Sequence, residues 1–516
     1  MPTRALNDAV RYGLAAGGLL LAHALVAQAT PASGPGVLPS PLPLQACFDL
    51  ACRRNTNVRA AYLAAEADRA RITQAKGSFD PGFFTEASGE RLRDPETGAA
   101  NGASESRAGA ISAGISQRLV TGTEVELSAA LDASDDLDLP SSSARSVSTG
   151  AALLVRQDLL RNAGLEVNRT GIRQAEDTWR AAVEGLRDSL IGALFGIEQD
   201  YWNLYFAEAD LRVREEQLAR ANRLVAVAEA QVRVGQSAPI DITRARSSAA
   251  SQMVSIASAR SRIPVLRHRL LRALGVLDPS TANERLILAD DPPSAAAAEF
   301  TLDASLDTAY AQRPDCRQAR IGVTQAERQE DYYANQALPS LRLYGGVEVR
   351  GEDTNLEDSR QETTSGDYDN WVAGVRLDVP LGNRAALGAR RAAELERRRA
   401  VVLQRGVLEQ ATREVADASA DLQTAKEQLD TTRQSSQLAR DLLQAEEKSF
   451  RLGRSTSLDV LDAQQALAAA EREEVRARVT YATAVSYLLV VRGDFLERKG
   501  VSLDRLPDLG DTTAEP

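Results

Sequence analysis

The sequence predicts an α+β membrane protein made of two copies of one unit, each with barrel-type strands and a pair of long helices. Three observations lead to this fold class. The line FRLGRSTSLDVLDAQQA at 450–466 repeats the line VRVGQSAPIDITRARSS at 232–248, with a shift of 218 residues (450 − 232). Short segments alternate apolar and polar residues with period two, which is typical of outer-membrane barrel strands. Long segments carry apolar residues seven apart, which is typical of coiled-coil helices.

Composition narrows the classes of partner. The chain has 516 residues and a net charge of −11, which argues against nucleic acid as a partner, because a nucleic-acid binder needs a basic face. Aromatic residues make up only 4%. Such a composition fits long helices that pack through small side chains better than one large compact globule.

The N-terminus has the features of a secretory signal peptide over residues 1–29. An apolar run at 13–27 follows two arginines and is short for a membrane span. Small residues flank Gln28, so we expect cleavage after Ala29. A short N-terminal anchor is the alternative interpretation. Residues 30–43 then form a Pro-rich linker.

Three cysteines follow no metal-binding spacing: Cys47, Cys52 and Cys316. The stretch that ends at Cys47 weakly matches a lipoprotein box but lies well past the apolar run. Lipidation of Cys47 therefore stays open, as does the state of the other two thiols.

The first repeat is predicted over residues 44–275. It begins with a helix at 44–78, which matches 302–337 at a shift of 258 residues (302 − 44). Strands follow at about 82–156, then a long helix at 165–234, a tip at 235–240 and a return helix. This copy is longer by 40 residues (258 − 218), which predicts an added strand pair near 109–133. The pair could lie in the barrel, giving 18 strands in a trimer, or in the outer loops.

The second repeat is predicted over residues 301–495, after a linker at 276–300. Its strands lie at about 341–380, where Trp371, Val375 and Leu377 alternate with polar residues. A long helix at 384–450, a tip at 451–457 and a return helix complete it. Residues 496–516 are acidic and are predicted to be a disordered tail.

The long helices predict an elongated molecule. A helix of roughly 70 residues is roughly 105 Å long, deeper than a compact domain and long enough to cross much of a periplasm. Gly235 and Gly453 are candidate left-handed caps at the ends of the long helices. The repeated line therefore predicts one helical hairpin tip per copy.

In three short motifs the chain resembles the TolC-like outer-membrane efflux family, and the resemblance covers about 44–495. The motifs are YWNL at 201–204, QDLLR at 157–161 and LDVLDA at 458–463. The resemblance implies a homotrimer whose strands form one transmembrane β-barrel, continued by a long periplasmic α-helical barrel. It implies the exit duct of a tripartite efflux or type I secretion system, with a periplasmic membrane-fusion adaptor and an inner-membrane pump of the RND or ABC type. It implies no cofactor.

The resemblance also implies a pore constriction at the second tip. Asp459 and Asp462 are three residues apart on a helix and so share a face. Threefold symmetry would make two rings of carboxylates, which attract cations and repel anions. Asp241 is the equivalent of Asp459 in the first copy, while Arg244 stands where Asp462 does. Without the resemblance, the pair is more simply a solvated helix face.

Family members close the aperture with contacts between the two tips and bind the adaptor through the tip turns. Closing contacts are thus expected at Phe450, Ser455, Arg454 and Arg244. Phe450 has no hydroxyl group to donate, so we expect weaker contacts or contacts rearranged around Arg454. The adaptor is expected at two turns, Val234-Gly235-Gln236 and Leu452-Gly453-Arg454.

Two other function classes fit the sequence less well. An enzyme is not expected, because the one histidine outside the signal peptide, His268, has no candidate catalytic partners, and no glycine-rich phosphate loop is present. An exported coiled-coil spacer of the envelope would explain the helices but not the strands that occupy the same place in both copies. A conduit for proteins or polysaccharide stays possible within the channel class.

Overall fold

A computed structural model provides the structure of the protein. It describes the following residues: 39–95, 103–136, 145–235, 238–279, 281, 286–292, 300–452 and 454–501. The predicted signal peptide, its cleavage site at Ala29 and the tail beyond Val501 lie outside the described residues.

Among the described residues, the first copy contains three short α-helices, four strands and two long helices. They are α1 (Leu44–Arg54), α2 (Thr56–Lys76), β1 (Gly82–Pro95), β2 (Ala103–Arg118), β3 (Thr123–Asp136), β4 (Arg145–Asp158), α3 (Leu165–Asn168), α4 (Thr170–Arg233) and α5 (Pro239–Ala273). The long helix α4 has 64 residues. It therefore extends for about 96 Å.

The second copy follows the same order with two strands instead of four. Its elements are α6 (Leu302–Gln312), α7 (Pro314–Gln336), β5 (Ser340–Asp353), α8 (Leu356–Ser365), β6 (Asp369–Asp378), α9 (Arg384–Arg451), α10 (Ser457–Arg492) and α11 (Phe495–Arg498). The polar segment between β5 and β6 contains the helix α8. Within the described residues, no helix is both long enough and apolar enough to cross a membrane.

The predicted first helix of each copy is wrong in one respect, because each is divided into two. The division falls at Asn55 in the first copy and at Arg313 in the second, which are equivalent positions (313 − 55 = 258). Asn55 accepts hydrogen bonds from the N–H groups of Asn57 and Val58 and so caps α2. In the second copy Pro314 begins α7, where a missing N–H group costs nothing.

At both interruptions a side chain donates a hydrogen bond to a backbone carbonyl group at the C-terminal end of the return helix of the same copy. The Asn55 side-chain amide donates to the carbonyl of Ala273 at 2.7 Å, and the Arg313 guanidinium donates to the carbonyl of Val491 at 3.0 Å. These two carbonyl groups are also equivalent (491 − 273 = 218). Different side chains thus satisfy the same exposed helix end in each repeat, which is the reason for the interruption.

A glycine makes the close approach possible at both places. Gly275 has φ +70° and Gly493 has φ +81°. A Cβ atom on Gly275 would lie 2.4 Å from the carbonyl oxygen of Arg54, and one on Gly493 would lie 2.7 Å from the nitrogen of Arg313. The left-handed backbone and the lack of space both require glycine.

We expect Gly275→Ala to destabilise the fold by about 3 kcal/mol, since it combines left-handed strain with a backbone clash. The matched control is Gly192→Ala in α4, where a Cβ atom meets nothing within 4 Å. That change should be neutral or stabilising. Far-ultraviolet circular dichroism during heating would compare the two. Equal melting temperatures would show that the contact with Arg54 does not support the fold.

The long helices lie side by side in one layer. In the half next to the sheet, α4 packs between α2 and α7, and α9 packs on the other side of α7. In the half next to the tips, α4 packs between α5 and α10, and α9 packs against α10. Each half of the layer is therefore four helices wide, and α9 forms one border throughout.

All six strands form one antiparallel sheet in the order β1-β2-β3-β4-β5-β6. The two copies join where β4 pairs with β5. The predicted added pair near 109–133 corresponds to β2 and β3, which pair along their length with each other and with β1 and β4. The question that the sequence left open is thereby answered for one chain: the pair belongs to the sheet.

The sheet has one apolar and one polar face. Register places one large apolar side chain of each strand in a continuous row across the sheet: Phe83, Ile115, Leu127, Leu153, Val347 and Trp371. All six are exposed, with Trp371 77% and Phe83 73% accessible. Neighbouring residues on the other face are mostly small or charged, as period two requires.

The helix α8 covers the end of the sheet on the side of the apolar row. Ser359 of α8 is fully buried and donates to the carbonyl of Gly351 at 2.9 Å. Thr149 of β4 bonds to Ser359 and to Thr363. A polar helix therefore borders the apolar face at the end of the strands next to the β5–β6 connection.

Each of the two predicted linkers, 30–43 and 276–300, contains a segment that is hydrogen-bonded to the long helix α4. The backbone of Leu42 forms a parallel bridge with Leu288, and the Tyr201 hydroxyl group of α4 donates to the carbonyl of Leu42 at 3.0 Å. The same hydroxyl accepts from the N–H groups of Ala289 and Asp290. The tyrosine of the YWNL motif thus fixes both linkers to the first long helix.

The predicted tail begins too early. Leu496 is buried in α11, and Lys499 donates to the buried carboxylate of Glu198 at 2.8 Å. Ordered structure therefore continues to Val501, because these side chains pack on α4 and α10. The rest of the predicted tail lies outside the described residues.

Candidate functional site at the helical tips

The two repeated lines meet at one end of the helical layer. The hydroxyl group of Ser457, at the start of α10, donates to Oδ1 of Asp241 in the first turn of α5 at 2.7 Å. These residues are 216 positions apart in the sequence. A hydrogen bond to a charged group thus joins the hairpin tip of one copy to that of the other.

An apolar cluster supports this contact from inside. Its buried members come from α4, α5, α9 and α10: Leu224, Ala245, Leu443, Phe450, Val460, Leu461, Ala463 and Leu467. Phe450 is only 6% exposed. Phe450, at which a closing contact is predicted, has its ring inside this cluster, where the two copies pack. Its lack of a hydroxyl group suits a position in the core.

Asp459 caps its own helix. The Thr456 hydroxyl group and the Asp459 carboxylate form a capping box, in which the Thr456 N–H donates to Oδ2 of Asp459 at 2.9 Å. Ser455 donates to the same oxygen at 3.2 Å. These hydrogen bonds from Thr456, aided by Ser455, hold the pKa of the exposed Asp459 carboxyl below its usual value.

Asp462 lies one turn further along α10 and is exposed. The residues between the two aspartates, Val460 and Leu461, are buried in the cluster. Both carboxylates consequently lie on the face of α10 that points away from the rest of the chain. Near the start of α5, Arg244 forms an ion pair with Asp241 at 3.6 Å.

The turns expected to bind an adaptor are exposed. Val234 is 67% accessible and Leu452 is 63% accessible. Gly235 has φ +77°, the left-handed conformation that ends a helix. Arg454 is exposed, and its backbone N–H donates to the carbonyl of Ser449. The predicted contacts at Gln236 and Gly453 lie outside the described residues.

Sequence reasoning missed two side chains of this site. Ser457 is not among the residues predicted to close the tips, although it makes the bond between them. Glu446 in α9 accepts a hydrogen bond from Ser455 at 2.6 Å, so Ser455 joins two parts of its own hairpin. No sequence signal pairs Glu446 with Ser455. The equivalence of Asp241 and Asp459 could have indicated that Asp241 has a partner, such as Ser457, in the other tip.

The cysteines do not form a reactive site. Cys47, Cys52 and Cys316 are free and buried. Burial raises the pKa of the Cys47 thiol to about 12 and that of Cys316 to about 11. Among the described residues, no cluster of histidine, cysteine or acidic side chains could hold a metal ion.

Comparisons with known proteins place these features in context. The profile of the family described as "Outer membrane efflux protein" matches residues 305–493. The chain is 21% identical to "Probable efflux pump outer membrane protein TtgC" of Pseudomonas putida, over 64% of this chain and 67% of that protein. It is 24% identical to "Cation efflux system protein CusC" of Escherichia coli, over 56% of this chain and 61% of that protein. It is 27% identical to "Outer membrane protein TolC" of Vibrio cholerae, over 63% of this chain and 72% of that protein.

Solved structures share the fold. The structure of CusC superposes with a TM-score of 0.64 at 19% identity, covering 87% of this chain and 92% of that one. The outer-membrane channel CmeC of Campylobacter jejuni superposes with a TM-score of 0.61 at 17% identity, covering 89% and 90%. The α+β fold class expected from the sequence is thereby confirmed.

Proposed function

The chain belongs to the outer membrane efflux protein family, and on that premise we propose that it forms the outer-membrane exit duct of a tripartite efflux or secretion system. Substrates would pass from an inner-membrane pump and a periplasmic adaptor through the duct to the exterior. The protein resides in the outer membrane of a Gram-negative cell and extends into the periplasm. The family is one of channel proteins, not of enzymes.

The observation that carries this proposal is the exposed apolar row across all six strands. A soluble protein rarely leaves so long an apolar patch uncovered, because water contact with apolar surface is unfavourable. Lipid acyl chains would cover this face and leave the polar face toward an aqueous lumen. The alternative, an exported coiled-coil spacer, does not explain a sheet with an exposed apolar face.

Open edges support assembly with further copies of the same chain. Among the residues that the structure describes, β1 and β6 each lack a strand partner on one side. Exposed strand edges carry unpaired N–H and C=O groups, which a membrane does not tolerate. Pairing β1 of one copy with β6 of the next would satisfy both, and family members do this as trimers.

The borders of the helical layer support the same assembly. Each border carries large exposed apolar side chains that a neighbouring copy would cover. On α9 they include Leu387, Leu395, Val401, Val402 and Leu403, and on α5 they include Met253, Val254 and Val265. Three copies would place twelve helices around a hollow duct.

The tips supply the proposed gate and docking surface. Asp459 and Asp462 would form the narrow, cation-attracting end of the duct, with Asp241 beside them. The exposed turns at Val234 and Leu452 would bind a periplasmic membrane-fusion adaptor that couples to a pump of the RND or ABC type. The names of the relatives refer to antibiotic, toluene and cation efflux, and the choice among such cargoes lies with the pump.

Conductance of the purified protein in a planar lipid bilayer tests the proposal. We expect discrete single-channel steps and recovery of the protein from the outer membrane. Leu127→Arg places a charge on the apolar face, which costs about 2–4 kcal/mol in the bilayer, and should abolish membrane recovery. The matched control is Ser128→Arg, one residue along β3 on the polar face, which should still insert. Protein recovered soluble from the periplasm, with no steps, would contradict the proposal.

A further inference from the structure

The hairpin of β2 and β3 is built into the wall of the sheet. β2 pairs with β1 from Ala103 to Ser116 and with β3 from Ser106 to Arg118. β3 pairs with β4 over its length. Within the chain, the hairpin is therefore as fully hydrogen-bonded as β4 and β5, the strands that join the two repeats.

The hairpin also continues both faces of the sheet. Ile115 of β2 lies between Phe83 and Leu127 in the apolar row, and Leu127 of β3 lies between Ile115 and Leu153. On the opposite face, β2 and β3 present small residues such as Ser112 and Ser128 with acids such as Glu126. A hairpin in an outer loop would have no reason to keep this register.

Six strands per chain set the circumference of a three-chain ring. Eighteen strands (3 × 6) spaced about 4.8 Å apart and tilted by about 40° give a ring of about 110 Å, or about 36 Å in backbone diameter. Twelve strands give only about 75 Å and about 24 Å at the same tilt. Allowing about 5 Å for side chains on each wall leaves about 26 Å or about 14 Å of clear width.

The helical layer sets the second dimension. Next to the sheet, each chain places four helices side by side, namely α2, α4, α7 and α9. Twelve helices spaced 8–10 Å apart give a circumference of about 95–120 Å. The eighteen-stranded ring matches this value at ordinary tilt, whereas a twelve-stranded ring would have to tilt well beyond the usual range to do so.

We propose that the β2–β3 hairpin widens the outer-membrane ring to eighteen strands, so that the duct does not narrow where it crosses the membrane. The inference rests on the proposed function. The sheet then applies no size filter to cargo below about 25 Å across, such as an extended polymer chain. Size selection is left to the tips.

A deletion of the hairpin provides the comparison. Removing residues 103–136 leaves β1 and β4 antiparallel to each other, since two strands are lost. Register through the sheet brings Phe83 opposite Leu153 after the deletion, because Phe83 pairs with Ile115, Ile115 with Leu127, and Leu127 with Leu153. The apolar row and both faces are therefore kept, and the shortened chain has four strands.

Neutral polyethylene glycols of graded size, added on the outer side of single channels, measure the width of the ring. The full-length chain should admit polymers of up to about 25 Å in diameter, whereas the shortened chain should exclude those above about 14 Å. In a Ser457→Ala background, which is designed to open the tips, the deletion should also lower the open conductance by about 1.5-fold, because the narrowed ring lies in series with the longer, unchanged helical duct.

Each outcome decides a different claim. A full-length channel that excludes polymers above about 15 Å would overturn the inference while leaving the duct in place. If the shortened chain does not assemble, the cutoff of the full-length channel alone decides, and electron cryomicroscopy of the ring must count eighteen strands. A protein without any conductance would contradict the proposed function instead.

Discussion

Replacing Asp462 with asparagine is expected to lower the preference of the channel for cations over anions about 25-fold at 0.15 M salt, about fivefold through lost cation attraction and about fivefold through lost anion repulsion. This value follows from the Coulomb energy of an ion that passes within roughly 6 Å of three carboxylates, calculated with the dielectric constant of water and with screening by salt. Asp462 is exposed on the first turns of α10, and its side chain is not part of the capping box. Its replacement should therefore change charge without changing the tip.

Asp459→Asn should act in the same direction but with a second effect. Its carboxylate accepts hydrogen bonds from the backbone and hydroxyl groups of Thr456, so the variant also weakens the cap of α10. Because these bonds hold its pKa below the usual value, the charge of Asp459 should persist as pH falls through the range in which ordinary aspartates are protonated. The double variant should lose cation selectivity.

Reversal potentials in a salt gradient measure this preference. The matched control is Asp421→Asn, which removes one exposed carboxylate from α9 far from the tips. It should leave the reversal potential unchanged. A double variant that keeps the selectivity of the parent would show that these aspartates line no constriction, and would return them to the role of a solvated helix face.

Breaking the bond between the tips should open the channel. Ser457 is buried and its hydroxyl group donates to Asp241 at 2.7 Å. A hydrogen bond to a charged group contributes about 1.5–3 kcal/mol, and its loss should raise the ratio of open to closed tips at least about tenfold. We expect Ser457→Ala and Asp241→Ala each to increase the time spent at a higher conductance level.

Two comparisons separate this bond from general damage to the tip. Ser455→Ala removes a hydroxyl group at the same tip, but one that bonds to Glu446 and Asp459 of its own copy. It should change gating little. The Asp241→Ala/Ser457→Ala double variant should open no further than either single variant, because both remove one interaction. Additive effects would contradict a shared bond.

Much of the fold could be predicted from local patterns. Period-two alternation located all six strands, and the seven-residue spacing located α4 and α9 to within a few residues of their ends. The interruptions at Asn55 and Arg313 were not predicted. Each exists because of a carbonyl group more than 170 residues away, at Ala273 or Val491, and helix propensity carries no information about such a partner.

At the candidate site, too, local sequence predicted some features and missed those that depend on distant partners. The repeated line predicted the two tip turns, and the resemblance to the efflux family implied that the two aspartates form a constriction there. Phe450 was predicted only as a position of a closing contact, and the structure adds that it packs in the cluster between the copies. Whether this side chain is buried depends on which side of α9 faces α4 and α10. A seven-residue pattern does not specify which helices pack against α9.

The sequence by itself determined the two repeats, the alternating strands, the long helices and the acidic pair at the tip, because each is written in residues close together along the chain. Only the tertiary structure decided that the added hairpin lies within the sheet and that Ser457 binds Asp241. Equivalent positions in the two copies also use different side chains for one task, as Asn55 and Arg313 do. These features depend on pairing between segments that are far apart, where geometry selects the partner and local preference does not.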